Sequence, residues 1–150
     1  MTYKTEYEKP TLKTSDLGQF TGTENYWKRP VSWQPFVYTD GVRYIAERGN
    51  AFWILDAIGS WQTDARIKKN ASLQDIQFWT LKVNEDKSAS LICERDQDDV
   101  VITQKLVYTD FPLKKIRFYL CNMFCYWQYD PSEEPRKTEH YGVLILPSEY

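Results

Sequence analysis

The most strongly patterned stretch of the chain is residues 51–61, which read Ala51-Phe52-Trp53-Ile54-Leu55-Asp56-Ala57-Ile58-Gly59-Ser60-Trp61. Ile54, Leu55, Ile58 and Trp61 form a stripe at helical spacing, and most of the other positions are apolar too. A helix that is apolar nearly all round is normally central and buried. The pattern therefore predicts a core helix at 50–64.

Upstream of this helix, the sequence predicts two shorter helical segments. Asp40, a residue that readily caps a helix N-terminus, precedes apolar residues at helical spacing, and Gly49-Asn50 is a stop signal. We therefore expect a helix at about 40–48 that begins at Asp40. Leu17 and Phe20 predict one helical turn at 15–20 that packs on the core. Residues 21–37 contain Pro30 and Pro35 and are expected to be irregular.

Downstream, residues 64–73 are expected to be a solvated link, and the apolar period then changes from helical to alternating. Three strands at about 76–83, 88–94 and 100–108, joined by short polar turns, predict an antiparallel meander. We expect further strands at 115–120, at 123–129 after a turn near Asn122, and at 141–146, with a loop over 130–139. The predicted fold class is α+β: a flexible N-terminus at 1–13, then a single domain at 14–150 with N-terminal helices packed on an antiparallel β-meander of about five strands.

Length and composition exclude several classes of protein. A chain of 150 residues fits one domain. A formal net charge of −2 argues against a broad basic surface for duplex nucleic acid, and no apolar run reaches the roughly 18–20 residues of a membrane span. The start, Met1 to Pro10, does not have the pattern of a secretory signal. Three cysteines, an odd number, predict reduced thiols and a cytoplasmic location.

The aromatic content is unusually high, with 6 Trp, 11 Tyr and 7 Phe. We do not expect one small core to bury all 24 rings, and an exposed aromatic patch is typical of an interface with a partner or a second copy. The core candidates lie in the predicted helix and the first long strand. The interface candidates are Trp27, Trp33, Phe36, Tyr38, Tyr119, Tyr126, Trp127 and Tyr129.

Residues able to carry out catalysis or bind metal are few. His140 is the single histidine, and Cys121-x3-Cys125 with His140 lacks a standard zinc spacing and a fourth ligand. We interpret these two cysteines as buried thiols and His140 as an exposed loop residue. The acidic run from Glu94 to Asp99 lacks the pattern of a calcium loop and predicts a solvated turn. The sequence therefore predicts no catalytic residue, no metal site and no cofactor.

Asp56 and Ser60 are the candidates for a ligand pocket. Asp56 lies inside the most apolar helix, and an unpaired buried carboxylate is costly. It is expected either to form the base of a pocket or, as a structural residue, to lie at an exposed edge or pair with Arg43 or Arg48.

Basic residues form a further candidate site, for phosphate groups. The candidates are Lys68, Lys69, Lys114, Lys115 and Arg117, in a set that also includes Arg66. Beside an aromatic such as Tyr119, these residues would form a stacking surface for single-stranded nucleic acid. The alternative is that they belong to ordinary solvated faces.

Six blocks of the chain resemble a family of uncharacterised bacterial and phage proteins, domain of unknown function 6876. The resemblance spans about residues 15–120 and the last ten, and 121–140 looks like a longer insertion. It implies a small cytoplasmic domain, often carried by phages or other mobile elements, and supplies no catalytic residue. The blocks are Phe20-Thr21-Gly22-Thr23-Glu24, residues 38–47, Trp53-Ile54-Leu55-Asp56-Ala57-Ile58, Gln77-Phe78-Trp79, residues 108–113 and Leu146-Pro147-Ser148-Glu149-Tyr150.

Taken together, these features favour a non-enzymatic interaction protein, an accessory or anti-defence factor of a phage or mobile element. It would bind a protein partner, or itself as a homodimer, through an aromatic-rich surface, with no role at a membrane. One alternative is a small-ligand or nucleotide-binding domain, including a hydrolase, with Asp56 in a pocket. A further alternative is binding of single-stranded nucleic acid.

Overall fold

A computed structural model describes residues 12–29, 35–129 and 136–150, with side chains throughout except at 124–126, 128, 129 and 136–141. After a 3-10 helix at Thr14–Gln19 come strands β1 (Tyr26–Lys28) and β2 (Phe36–Thr39). Four helices follow: α1 (Asp40–Arg48), α2 (Phe52–Trp61), α3 (Ala65–Lys68) and α4 (Ala71–Asp75). The rest is β3 (Ile76–Val83), β4 (Ala89–Asp96), β5 (Asp99–Leu106), β6 (Lys115–Tyr129), β7 (Arg136–Ile145) and a 3-10 turn at Pro147–Glu149.

The predicted α+β class is confirmed, but the sheet is larger and mixed. Over the described residues it has seven strands, in the order β1-β2-β7-β6-β3-β4-β5, rather than about five. The strands β3, β4 and β5 form the predicted antiparallel meander. The pairs β2–β7 and β1–β6 are parallel, so the sheet is not a pure antiparallel meander.

The prediction of irregular chain over 21–37 is wrong for β1 and β2. Each strand is only three or four residues long, and neither strand contains a proline. Strand β1 pairs with both β2 and β6, so that β1, β2, β7 and β6 pair in a closed ring. This ring has its own small apolar cluster, formed by Val37 and Val143 with Tyr26, Met123 and Trp127 packed against them.

The prediction of a turn near Asn122 is also wrong, because β6 runs unbroken through it. Asn122 pairs with Gly142 of β7, and Cys121 pairs with Ile76 on one side and Val143 on the other. The pairing of Asn122 with β7, next to a residue that pairs on both sides, outweighs the weak strand preference of asparagine. Strand β7 likewise includes residues 136–139 of the predicted loop.

The helices follow the sequence pattern with three corrections. Helix α2 is shorter than 50–64, and its buried residues include Ile54, Leu55 and Ile58. Helix α1 is capped by Thr39, whose hydroxyl accepts a hydrogen bond from the Val42 amide, and not by Asp40. The expected solvated link contains α3 and α4, each anchored by one buried residue, Ile67 and Leu73.

One large core joins the helices to one face of the sheet. Residues of α1 and α2 pack in the same cluster as Trp79, Leu91 and Phe118, and Leu17 and Phe20 pack at its edge as predicted. Cys93 and Cys121 are buried thiols, whereas the Cys125 side chain and that of His140 lie outside the described side chains. Among the described residues, no helix is long and apolar enough to cross a bilayer.

Candidate binding groove beside strand β6

The first part of β6 has a neighbour on one side only. Residues 115–121 pair with β3, but the pairing with β7 begins where Tyr119 meets Ile145. Beyond Ile145 the chain turns away into Leu146 and the C-terminal 3-10 turn. Residues 115–118 therefore present an edge that no described strand covers, and an open strand edge carries unpaired backbone groups.

A groove of about 740 Å³ lies along this edge. Its walls are the first 3-10 helix with Leu17 and Gly18, the loop and strand at 112–117, and the C-terminal segment Leu146–Ser148. Most of the lining is apolar, and its charged side chains are all basic: Lys114, Lys115 and Arg117. In the part of the chain that the structure describes, these cations form no ion pair.

Beside the groove is a row of aromatic rings. Alternation along the strands places Phe78 of β3 and Tyr119 of β6 opposite each other on the face away from the helices. Their ring centroids are 5.0 Å apart, nearly perpendicular, and the Tyr150 ring packs edge-on at 5.5 Å from Tyr119. The Arg117 guanidinium lies over two of these rings, 5.3 Å from Phe78 and 5.6 Å from Tyr119.

A second depression, of about 580 Å³, meets the groove at Lys115 and Arg117, which line both. It is polar, with Phe78 and Lys82 on one side and the acidic side chains of the β4–β5 turn on the other. The Glu94 carboxylate there accepts a hydrogen bond of 3.0 Å from the Asp98 amide. Among the described residues, the buried Arg117 Nε has no hydrogen-bond partner. Arg117 therefore lies at the junction of an apolar and a polar depression.

The C-terminal wall of the groove is held by Glu149. Its carboxylate accepts hydrogen bonds from the Thr39 hydroxyl (2.7 Å), the Gly41 amide (3.1 Å) and the Leu146 amide (3.1 Å). Burial raises the pKa of Glu149 above its ordinary value, and these hydrogen bonds oppose that rise. Gly41 is required for this contact, because an added Cβ would lie 2.5 Å from the Glu149 Oε1.

Asp56 pairs with Arg29, the residue that follows β1, instead of with Arg43 or Arg48. The Asp56 side chain is 40% exposed, and neither depression includes it. Ser60 is exposed, and its hydroxyl donates a hydrogen bond to the Ala57 carbonyl oxygen. The structure therefore does not place these two residues at the groove.

Three of the eight aromatic interface candidates lie away from the groove, in the core. Phe36 and Tyr38 are fully buried and Trp27 is 7% exposed, so these three belong to the core rather than to an accessible patch. All three belong to the large core cluster, where the Tyr38 ring packs edge-on against Phe52 of α2. The Trp27 indole donates a hydrogen bond of 2.8 Å to Asp40, and Arg43 stacks on its ring.

The remaining candidates divide between the ring, the groove and the undescribed part of the chain. Trp127 packs within the closed ring, and Tyr119 lies beside the groove. Trp33 lies outside the described residues, and the side chains of Tyr126 and Tyr129 lie outside those described.

Of the basic candidates, Lys114, Lys115 and Arg117 come together at the groove. Lys68 lines a different depression, with Gln62 and Gln77 on the helix-covered side of the sheet, and Lys69 is an exposed neighbour of it. Sequence reasoning missed Phe78 and Tyr150 as site residues. Alternation in β3 could have placed Phe78 on the open face, but no local signal places the C-terminus beside β6.

Comparison with known proteins gives one match. A family of unknown function, DUF6876, matches residues 11–150, a range that includes 121–140. No curated protein and no solved structure matches the chain.

Proposed function

We propose that this chain, which belongs to the DUF6876 family of unknown function, is a non-enzymatic interaction protein. Its binding site is the groove beside β6, and its ligand is a segment of a partner protein. The segment carries apolar side chains together with acidic groups. An accessory or anti-defence role on a phage or mobile element is part of this proposal, and only the family resemblance supports it.

The observation that carries the proposal is the one-sided charge of the groove. The protein as a whole is slightly acidic, with a formal net charge of −2. The charged residues lining the groove are nevertheless three cations, two of them exposed lysines. Opposite charge steers association and selects partners. An apolar groove with a basic rim therefore fits an acidic segment that has apolar anchors.

The size and edges of the groove fit the same kind of ligand. Its volume of about 740 Å³ is within the usual range for ligand pockets, roughly 300–1,000 Å³. The open edge at 115–118 provides backbone groups that an extended peptide can pair with as an added strand. Backbone pairing, apolar burial and charge contacts can thus act together on one segment.

Selection from a random peptide library tests this proposal. The variant Gly18→Trp is designed to obstruct the groove, because Gly18 lines the groove wall and a Cβ added there meets nothing within 4 Å. Gly22→Trp is the matched control, since Gly22 is also open and is not part of the lining. We expect selected peptides to be acidic and apolar, and to bind wild type and Gly22→Trp but not Gly18→Trp, by fluorescence anisotropy. Equal binding to Gly18→Trp would contradict the proposal.

Single-stranded nucleic acid is a second candidate, favoured by the row of rings beside Arg117. Bases stack on aromatic side chains while cations contact the phosphates. Tyr150 is 73% exposed and offers a ring at the end of this row. Retention of a labelled thymidine oligonucleotide at low salt, lost in Tyr150→Ala, would favour this candidate over the peptide. The Asp56 pocket has less support, because its carboxylate is already paired with Arg29.

A further inference from the structure

We infer that Arg117 is an oxyanion receptor: it binds a carboxylate or phosphate group on the ligand that occupies the groove. The identity of the ligand that carries this group, a segment of a partner protein, rests on the proposed function. The anion site itself rests on the geometry around Arg117. Of the three groove cations, Arg117 is therefore the residue that selects ligands with such a group.

The guanidinium is held in place by rings rather than by a carboxylate. It lies over Phe78 at 5.3 Å and Tyr119 at 5.6 Å, and these two rings pack against each other. A guanidinium stacked on aromatic faces keeps its hydrogen-bonding edge available, and it loses little further freedom when it binds. Arg117 is therefore preorganised for a planar or tetrahedral oxyanion.

Its hydrogen-bonding capacity is unused within the described part of the chain. The Nε is buried, yet neither a backbone nor a side-chain acceptor reaches it. A buried donor without a partner costs free energy, which an incoming acceptor recovers. Carboxylates and phosphates bind the guanidinium edge through two parallel hydrogen bonds, which makes them the acceptors that fit best.

Glu94, Asp96 and Asp98 line the polar depression with Arg117, and among the described residues none of them forms an ion pair with it. The Glu94 carboxylate instead accepts a hydrogen bond from the Asp98 amide, and the Asp96 carboxylate accepts one from the Gln97 amide. Lys115, two residues before Arg117 on the same strand face, adds a second positive charge at the junction. The negative field of the turn disfavours an anion that approaches from that side. The oxyanion therefore reaches Arg117 from the groove.

Direct observation of the Arg117 Nε–H in the wild-type protein by NMR tests the anion site alone. Sodium acetate and methyl phosphate are the probes, and sodium chloride at equal ionic strength is the control. We expect the Arg117 signal to shift in a saturable way with acetate, methyl phosphate or both, and their relative affinities distinguish carboxylate from phosphate. A response to chloride equal to that of both probes, or none to either, overturns the inference.

Peptide binding tests the same site in its proposed setting. With an acidic peptide selected on the groove, Arg117→Gln should weaken binding about tenfold or more, the usual loss for a charge-assisted hydrogen bond. Its effect should fall below about twofold when the acidic residues of the peptide are changed to amides. Lys105→Gln, an equal loss of charge on exposed β5, is the control.

These experiments distinguish failure of the Arg117 anion site from failure of the proposed function. If peptides bind in the groove and Arg117→Gln binds them as tightly as wild type, the inference is wrong and the proposed function stands. If no peptide binds but the Nε–H responds to methyl phosphate, the anion site stands and the protein ligand is wrong. Should Arg117→Gln fail to fold, the wild-type NMR titration still decides the inference.

Discussion

At the scale of single residues, the carboxylate of Glu149 joins the C-terminus to the first turn of α1. It accepts one side-chain and two backbone hydrogen bonds, from Thr39, Gly41 and Leu146. A carboxylate near a helix N-terminus is also favoured by the helix dipole. The same group is 8% exposed, so its charge loses most of its hydration. The protonation state of Glu149 is therefore coupled to the contacts that hold the groove wall.

This coupling predicts a pH dependence of stability. Because burial raises the pKa of folded Glu149 above the unfolded value of about 4.5, the folded state binds its proton more tightly. The favourable contribution of this proton is fully present below the unfolded pKa and is lost as the pH rises through the folded pKa. The free energy of unfolding should therefore fall over this window in wild type. In the variant Glu149→Gln, whose amide does not titrate, the decrease in the free energy of unfolding that is due to Glu149 should be absent.

Urea unfolding at intervals from pH 4 to 7 measures this effect. Glu47→Gln serves as the control, since Glu47 is a half-buried carboxylate that pairs with Arg43 on the side of α1. The difference between the pH profiles of wild type and Glu149→Gln isolates the contribution of Glu149. If that difference instead grew more stabilising for wild type as the pH rises, the folded pKa of Glu149 would lie below the unfolded one and the prediction would be wrong.

At the scale of secondary-structure elements, α1 depends on Thr39 for two contacts. Its hydroxyl accepts from the Val42 amide and donates to Glu149. Thr39→Ala removes both, so we expect a loss of about 1–2 kcal/mol, the upper range for an N-cap. Thr39→Ser keeps the hydroxyl and should recover most of that loss in urea unfolding. Equal stability of the Ala and Ser variants would mean that the hydroxyl contributes nothing.

The elements also show how far sequence reasoning reaches. Apolar period together with cap, stop and turn residues is enough to locate α1, α2 and the β3–β5 meander, because these signals are local. It misassigned Asp40 as the cap, since Thr39 and Asp40 are both capping residues and tertiary contacts decide between them. In the structure, Asp40 accepts from the indole of Trp27, a contact made across the fold. Local pattern cannot reveal such a partner.

The site was predictable only in part for the same reason. Lys114, Lys115 and Arg117 are adjacent in sequence, so their common location is a local property that composition could suggest. Their apolar partners are Leu17 and Leu146, from opposite ends of the chain. The groove exists because β7 ends opposite Tyr119, and strand register is a non-local property. Sequence reasoning therefore found the cations but could not find the groove.

At the scale of the whole molecule, two cores share strand β6. The large core unites the helices with β3–β6, and the small one fills the closed ring of β1, β2, β7 and β6. Cys93 lies in the large core, and Cys121 lies where β6 pairs with both β3 and β7. Burial raises the pKa of Cys93 to about 12 and that of Cys121 to about 11. The reactivity of each thiol therefore measures the opening of a different part of the sheet.

These thiols should be inert in the folded protein and become reactive only when it opens. At pH 8 the thiolate fractions are about one in ten thousand for Cys93 and about one in a thousand for Cys121, and both side chains are buried. In a Cys125→Ser background, iodoacetamide labelling followed by peptide mass spectrometry measures each site. We expect both to label in parallel as urea unfolds the protein, if the two cores unfold as one cooperative unit.

If the two cysteines become labelled at different urea concentrations, one part of the sheet opens before the other. Cys121 reacting at lower urea than Cys93 would show that β7 leaves β6 while the meander stays folded. The C-terminal wall of the groove follows directly from β7, and Glu149 ties it to α1. Glu149→Gln should then increase this early labelling of Cys121 and leave Cys93 unchanged. Parallel labelling in both variants would instead show that the groove persists until the whole domain unfolds, so that a ligand bound there stabilises the entire fold.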